Sequence, residues 1–130
     1  MDLLVPVDGS ESSVRALRFG AEMARRFEAS LHVVHVSNDE SDATDQIVER
    51  ARAVLDDEGV EGSPEVSTDV ELEFRPSKAV GEAILTLVEE RGYDHVVMGH
   101  HGAGTVERAI LGSAAETVVR SERVPVTVVP

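Results

Sequence analysis

Five short runs rich in β-branched residues alternate with four stretches of helical spacing, and this alternation restricts the fold more than any other feature of the chain. The runs are LLVPV (Leu3 to Val7), LHVVHV (Leu31 to Val36), DVELEF (Asp69 to Phe74), DHVVMG (Asp94 to Gly99) and VPVTVV (Val124 to Val129). Their length and composition are those of strands. Between them apolar side chains recur every three or four positions: Val14, Leu17, Ala21 and Ala24, then Val48, Ala51, Val54 and Leu55, then Val80, Ile84, Leu87 and Val88. The last helical segment follows Gly112. Ser10 or Glu11 opens the first helix, Gly59 and Gly92 close the second and third, and Ser113 opens the fourth.

Strict strand and helix alternation predicts an α/β fold: an open, twisted, parallel five-stranded sheet of Rossmann-like type, with helices on both faces, right-handed crossovers and strand order 3-2-1-4-5. With 130 residues, 42% of them hydrophobic, the chain suffices for one core, so residues 1–130 are expected to be a single domain. In such sheets ligands sit at the carboxyl ends of the strands, where the crossover direction reverses. That switch point falls between the first and fourth strands, so Asp8-Gly9-Ser10 and the segment Gly99 to Gly102 are expected to face each other.

Composition removes several function classes. Cysteine is absent, which excludes a disulfide framework, a thiolate nucleophile and a cysteine zinc site. No apolar run reaches membrane-spanning length, and the chain opens on a strand-like segment without a signal-peptide pattern, so a cytoplasmic protein with no membrane partner is expected. The net charge of −13 repels nucleic acid. Thirteen carboxylates and only Arg50 and Arg52 lie between Asp39 and Glu73, which concentrates a net −11 on one segment. Lys78 is the single lysine, and the pattern suggests a solvated surface suited to a very salty cytoplasm, as in a halophile. A melting temperature indifferent to KCl would contradict that hypothesis.

The two expected sheet edges differ in kind. DVELEF alternates Glu71 and Glu73 with apolar residues, a charge-guarded edge that discourages pairing. VPVTVV has no charge, and a bare edge of this kind invites a second copy to pair antiparallel with it about a two-fold axis. A homodimer through Val124 to Val129 is therefore expected. The competing reading covers that strand with the chain's own helices and uses Pro125 to blunt it.

The segment MGHHGAGTVERAILGSAAE, Met98 to Glu116, carries the candidate chemistry. Gly99 and Gly102 allow the backbone to turn and bring amides close to an anion. Gly112-Ser113 opens a helix whose first amides and positive dipole end suit a phosphate. Ser113 to Glu116 also reads as a capping box, in which serine and glutamate satisfy each other's amides. His100 and His101 lack a local carboxylate and, as loop neighbours, are expected to point apart, so no protein metal site is assigned to them. Mg2+ or Mn2+ would instead arrive with the phosphates, with Asp8 as its one protein neighbour. Asp8 has an alternative role in satisfying amides at the first strand–helix turn.

The spacing Gly99-x-x-Gly102, nine residues, Gly112-Ser113 resembles the nucleotide-binding signature of the universal stress protein family. LLVPVDGSESSVRAL, LHVVHV, YDHVVMGHHG and ILGSAAETVVRSERVPVTVV resemble the successive blocks of that family, and the likeness spans nearly the whole chain. The resemblance implies an adenine-nucleotide alpha-hydrolase-like domain, commonly dimeric through its last strand, in a subgroup that retains ATP. It also implies that Pro6 and Asp8 line the adenosine side, that Val36 meets adenine through its backbone, and that Gly99, His100, His101 and Gly102 hold ribose and phosphate. Gly112, Ser113 and Ala114 would cradle the remaining phosphates. Ala114 and Ala115 replace bulkier residues common in the family, and Gly104 loosens the loop.

The expected function is a stress-response regulator that binds ATP with Mg2+ and signals through its dimer or a downstream protein partner. Catalysis is not expected beyond slow hydrolysis, because the loop has no Walker lysine. The alternative from another class is a nucleotide-free dimeric interaction module. A nucleotide alpha-hydrolase enzyme stands third, since VDGSESS is poorer in glycine and serine than such a first loop.

Overall fold

A computed structural model describes residues 1–36, 42–61, 65–67, 76–101 and 111–130. The elements run β1 (Asp2–Pro6), α1 (Glu11–Phe27), β2 (Ser30–Val36), α2 (Asp42–Glu58), β3 (Glu65–Ser67), α3 (Pro76–Arg91), β4 (His95–Gly99), α4 (Ser113–Arg120) and β5 (Val126–Val129). The body of the sheet is β2-β1-β4-β5, and the three-residue β3 adds to β2 to give the order β3-β2-β1-β4-β5. Every described pairing is parallel. The strand expected over Asp69 to Phe74 lies outside the described residues, and the described third strand sits earlier in the chain.

Period-two alternation divides the core. Leu3, Val5, Val33 and Val97 pack with Leu17 and Ala21 of α1 and Val54 and Leu55 of α2. Leu4, Val34, Val96 and Met98 face the other way, onto Ile84 and Leu85 of α3 and Val118 of α4. The central strands are thus buried on both faces, which is why they read as continuous apolar runs. Burial of each large aliphatic side chain contributes about 1.5–3 kcal/mol relative to exposure.

Helix ends follow local chemistry. Ser10 caps α1 by accepting from the Ser13 amide at 3.2 Å. Gly59 and Gly92 follow α2 and α3 with φ of 67° and 68°, as their sequence positions predict. The close of α1 instead falls to Glu28, at φ 52°. A Cβ on Gly81 would lie 2.6 Å from Thr117 Cβ, so α3 approaches α4 at a residue without a side chain. That contact helps to set α4 against the sheet beside β5. Among the described residues, no helix is long and apolar enough to cross a membrane.

Candidate functional site

β1 is central, with β2 on one side and β4 on the other, so the chain reverses its winding between β1 and β4. At the carboxyl ends of these strands the structure gathers most of the residues selected from sequence. Pro6 ends β1, Val36 ends β2 and Gly99 ends β4. Asp8 follows β1 directly, His100 and His101 follow β4, and Ser113 and Ala114 begin α4 behind Gly112. Gly102 lies outside the described residues.

Hydrogen bonds tie these ends together. The amide and hydroxyl of Ser10 both donate to Asp8 Oδ1, which holds the turn between β1 and α1. The amide-satisfying role of Asp8 is therefore present in the structure. The Ser12 hydroxyl donates to the His101 carbonyl at 2.7 Å, and Ser10 Oγ reaches the same oxygen at 3.3 Å. This brings the first turn against the end of β4. A Cβ on Gly99 would meet Ser12 Oγ at 2.5 Å, so glycine there permits the approach. Ser12 was not selected from sequence; the only signal was its place in the Ser-rich start of α1.

His100 joins three elements. Its amide donates to the Val129 carbonyl at 2.9 Å, and its own carbonyl accepts from the Gly112 amide. The end of β4 is thereby bonded to both the end of β5 and the start of α4. His35, also not selected from sequence, places Nδ1 2.8 Å from the Val7 carbonyl. Since a carbonyl only accepts, Nδ1 carries the proton in this bond.

Two local expectations are corrected. The N-cap of α4 is Gly112, in an extended conformation (φ −66°, ψ 157°), with no side-chain capping bond. The Gly112 amide is drawn to His100, so the helix starts one residue earlier than Ser113 as cap would require. That shift puts the capping box out of register, and Glu116 pairs instead with Arg120 at 2.9 Å. The first amides of α4 consequently have no side-chain acceptor from the cap. The second correction concerns the histidines, whose rings do not point apart. They stack with centroids 3.7 Å apart and planes at 25°. Both residues lie beyond the end of β4 at Gly99, where the side-chain alternation of a strand no longer applies.

Among the described residues, no group of three or more His, Asp or Glu side chains is arranged to hold a metal ion. Nδ1 of His100 is the one buried side-chain nitrogen or oxygen there without a hydrogen-bond partner. The donor set at this edge is otherwise made of backbone amides and hydroxyls, chemistry that favours an anionic or polar ligand.

A doubly wound α/β domain with an amide-lined carboxyl edge is thus the class of protein defined by fold and site. The universal stress protein family profile matches residues 1–130, and the chain belongs to that family. A putative universal stress protein of Staphylococcus haemolyticus is 30% identical over 140 residues, covering 98% of this chain and 83% of that relative. The structure of a universal stress protein from Archaeoglobus fulgidus is 25% identical with a TM-score of 0.78, covering 100% of this chain and 98% of its own. A universal stress protein structure from the same organism in complex with dAMP is 24% identical with a TM-score of 0.74, over 100% of this chain and 98% of its own. This last likeness shows the fold alone.

Proposed function

We propose that this protein is a stress-response regulator that binds ATP, with accompanying Mg2+ or Mn2+, at the carboxyl edge of β1, β2 and β4. The observation that carries this reading is the start of α4. Gly112 is buried, offers no capping side chain and is bonded to the carbonyl of His100. Uncapped amides at a helix N-terminus attract anions by hydrogen bonding and by the helix dipole. A phosphate chain fits this donor set. Gly112, Ser113 and Ala114 cradle its far end, Gly99 to Gly102 hold ribose and the near phosphate, Pro6 and Asp8 line the adenosine side, and Val36 meets adenine. The Archaeoglobus fulgidus neighbour solved with dAMP supports an adenine nucleotide as the ligand class.

Binding, not turnover, is the assigned role. Fast hydrolysis requires a positioned base and cations matched to the transferring phosphoryl group. The metal keeps its waters and takes its remaining ligands from the phosphates, with Asp8 nearby. The protein works in the cytoplasm as one domain over residues 1–130 and pairs with a second copy along β5. The exposed carboxylates of α2, Asp45, Glu49, Asp56 and Asp57, are read as solvated surface suited to a salty interior.

Calorimetric titration of Mg-ATP into nucleotide-stripped protein in molar KCl tests the reading, alongside Gly112→Val, whose side chain obstructs phosphate approach. Micromolar or tighter binding in the parent, lost in a folded variant, is expected. No heat from the folded parent and no competition by ATP would overturn the proposal in favour of a nucleotide-free interaction module.

A further inference from the structure

One hydrogen bond joins the residues that immediately precede Asp8 and Val36. His35 comes before Val36 at the end of β2, Val7 comes before Asp8 just after β1, and Nδ1 of His35 lies 2.8 Å from the Val7 carbonyl. The Val7 amide donates to the Val34 carbonyl at 2.8 Å, so both backbone groups of Val7 are tied to β2. Beyond Val7 the turn has little stiffness of its own. The Asp8 amide reaches Ser13 Oγ at 3.4 Å, a long bond, and Gly9 stands at φ 85°. Val7 is buried, and a buried carbonyl requires a donor. The donor here is a ring nitrogen bonded directly to Cγ, with little reach, so the bond persists only while the turn keeps its distance from β2.

We propose that His35 is a positioning residue for the bound nucleotide: by holding the Val7 carbonyl, its Nδ1–H sets the spacing between Asp8 and Val36 into which the adenosine fits. The inference rests on the nucleotide-binding reading above and adds a residue that acts through its neighbours. Asp8 is held from two directions. On the α1 side the amide and hydroxyl of Ser10 donate to its carboxylate and orient it. On the β2 side His35, through Val7, fixes where its backbone stands. The start of α4 is anchored separately, through Gly112 and the His100 carbonyl on the β4 side of the sheet. Loss of the His35 bond therefore weakens the hold on adenosine and spares the hold on the phosphates.

The test compares ATP and adenosine binding by calorimetry in the parent, His35→Phe and His35→Asn. Phenylalanine keeps a planar ring without a donor, whereas the asparagine amide nitrogen, also bonded to Cγ, returns an N–H near the position of Nδ1. Both ligands are expected to lose affinity by the same factor in His35→Phe, about threefold to tenfold, as for a site no longer held by one neutral hydrogen bond. Both should recover in His35→Asn, a rescue that packing alone would not give. Nitrogen-15 NMR of the free parent supplies a readout independent of variant folding: His35 should carry its proton on Nδ1. A neutral ring protonated on Nε2 instead, undiminished affinity in folded His35→Phe, or a loss confined to ATP with adenosine unchanged overturns the proposal and leaves nucleotide binding standing. Parent protein that binds no ATP overturns both.

Discussion

The hydroxyl of Ser12 donates to the carbonyl of His101 at 2.7 Å, joining two turns that are 89 positions apart in the chain. The approach depends on Gly99, because a Cβ there would lie 2.5 Å from Ser12 Oγ and 2.8 Å from both Ser12 C and Ser13 N. A hydroxyl can rotate away, but the backbone of a capped helix cannot do so cheaply. Gly99→Ala should therefore overpack the junction and destabilise the fold by about 1–3 kcal/mol. Thermal unfolding should show a melting temperature lower by about 4–12 °C. An unchanged melting temperature would mean that α1 is not held against β4 as described.

α1 closes on a residue that pays for its conformation. Glu28 adopts φ 52° and donates its amide to the Ala24 carbonyl, the left-handed geometry usually supplied by glycine. Its side chain is exposed, so replacement removes no core contact. Glu28→Gly should stabilise the protein by about 0.5–1 kcal/mol, net of the greater freedom glycine brings to the unfolded chain. Urea unfolding should show a higher midpoint with an unchanged slope.

Burial pushes the imidazole of His95 below its ordinary value, while Nε2 lies 2.8 Å from Thr127 Oγ1. The folded protein thus resists protonation that the unfolded chain accepts. The unfolded state binds more protons below about pH 6.5, so the contribution of His95 is fully present above that pH and is lost as pH falls through the lowered folded value. His95→Gln keeps a polar group opposite Thr127 without titrating. The fall in urea midpoint between pH 7.5 and pH 5.5 should be smaller in this variant than in the parent. Equal falls would show that His95 is not selectively neutral in the fold.

The layered core was legible because its signal is repeated. Leu3 and Val5 alternate with Leu4, and Leu17, Ala21 and Ala24 return to one helix face, so many residues report the same arrangement. The site was legible where glycines marked the ends of elements. It was less legible where one distant bond decided the outcome. Ser113 to Glu116 satisfies the local rule for a capping box, yet the His100 carbonyl captures the Gly112 amide and moves the cap by one residue. Ser12 has no distinguishing local pattern, since its role depends on a carbonyl brought near by the sheet. The third strand shows the same limit: Glu65–Ser67 pairs with Val34 to Val36 although its three residues carry little apolar periodicity of their own.

Pairing of two copies along β5 can be tested because the strand's two backbone sides are distinguishable. The carbonyls of Pro125 and Val129 both accept from β4, from the amides of Val96 and His100. Strand alternation puts the backbone of Thr127 with them and turns that of Val126 and Val128 toward the open edge. Proline tolerates an edge position whose amide faces outward and fails where the amide is needed inside the sheet. Val128→Pro should therefore leave the monomer fold intact while removing a donor that a second β5 would use. Sedimentation should give a dimer mass for the parent and a monomer mass for Val128→Pro, with Thr127→Pro destabilised as the internal control. A monomeric parent, or a Val128→Pro protein that remains dimeric, would remove β5 as the pairing edge.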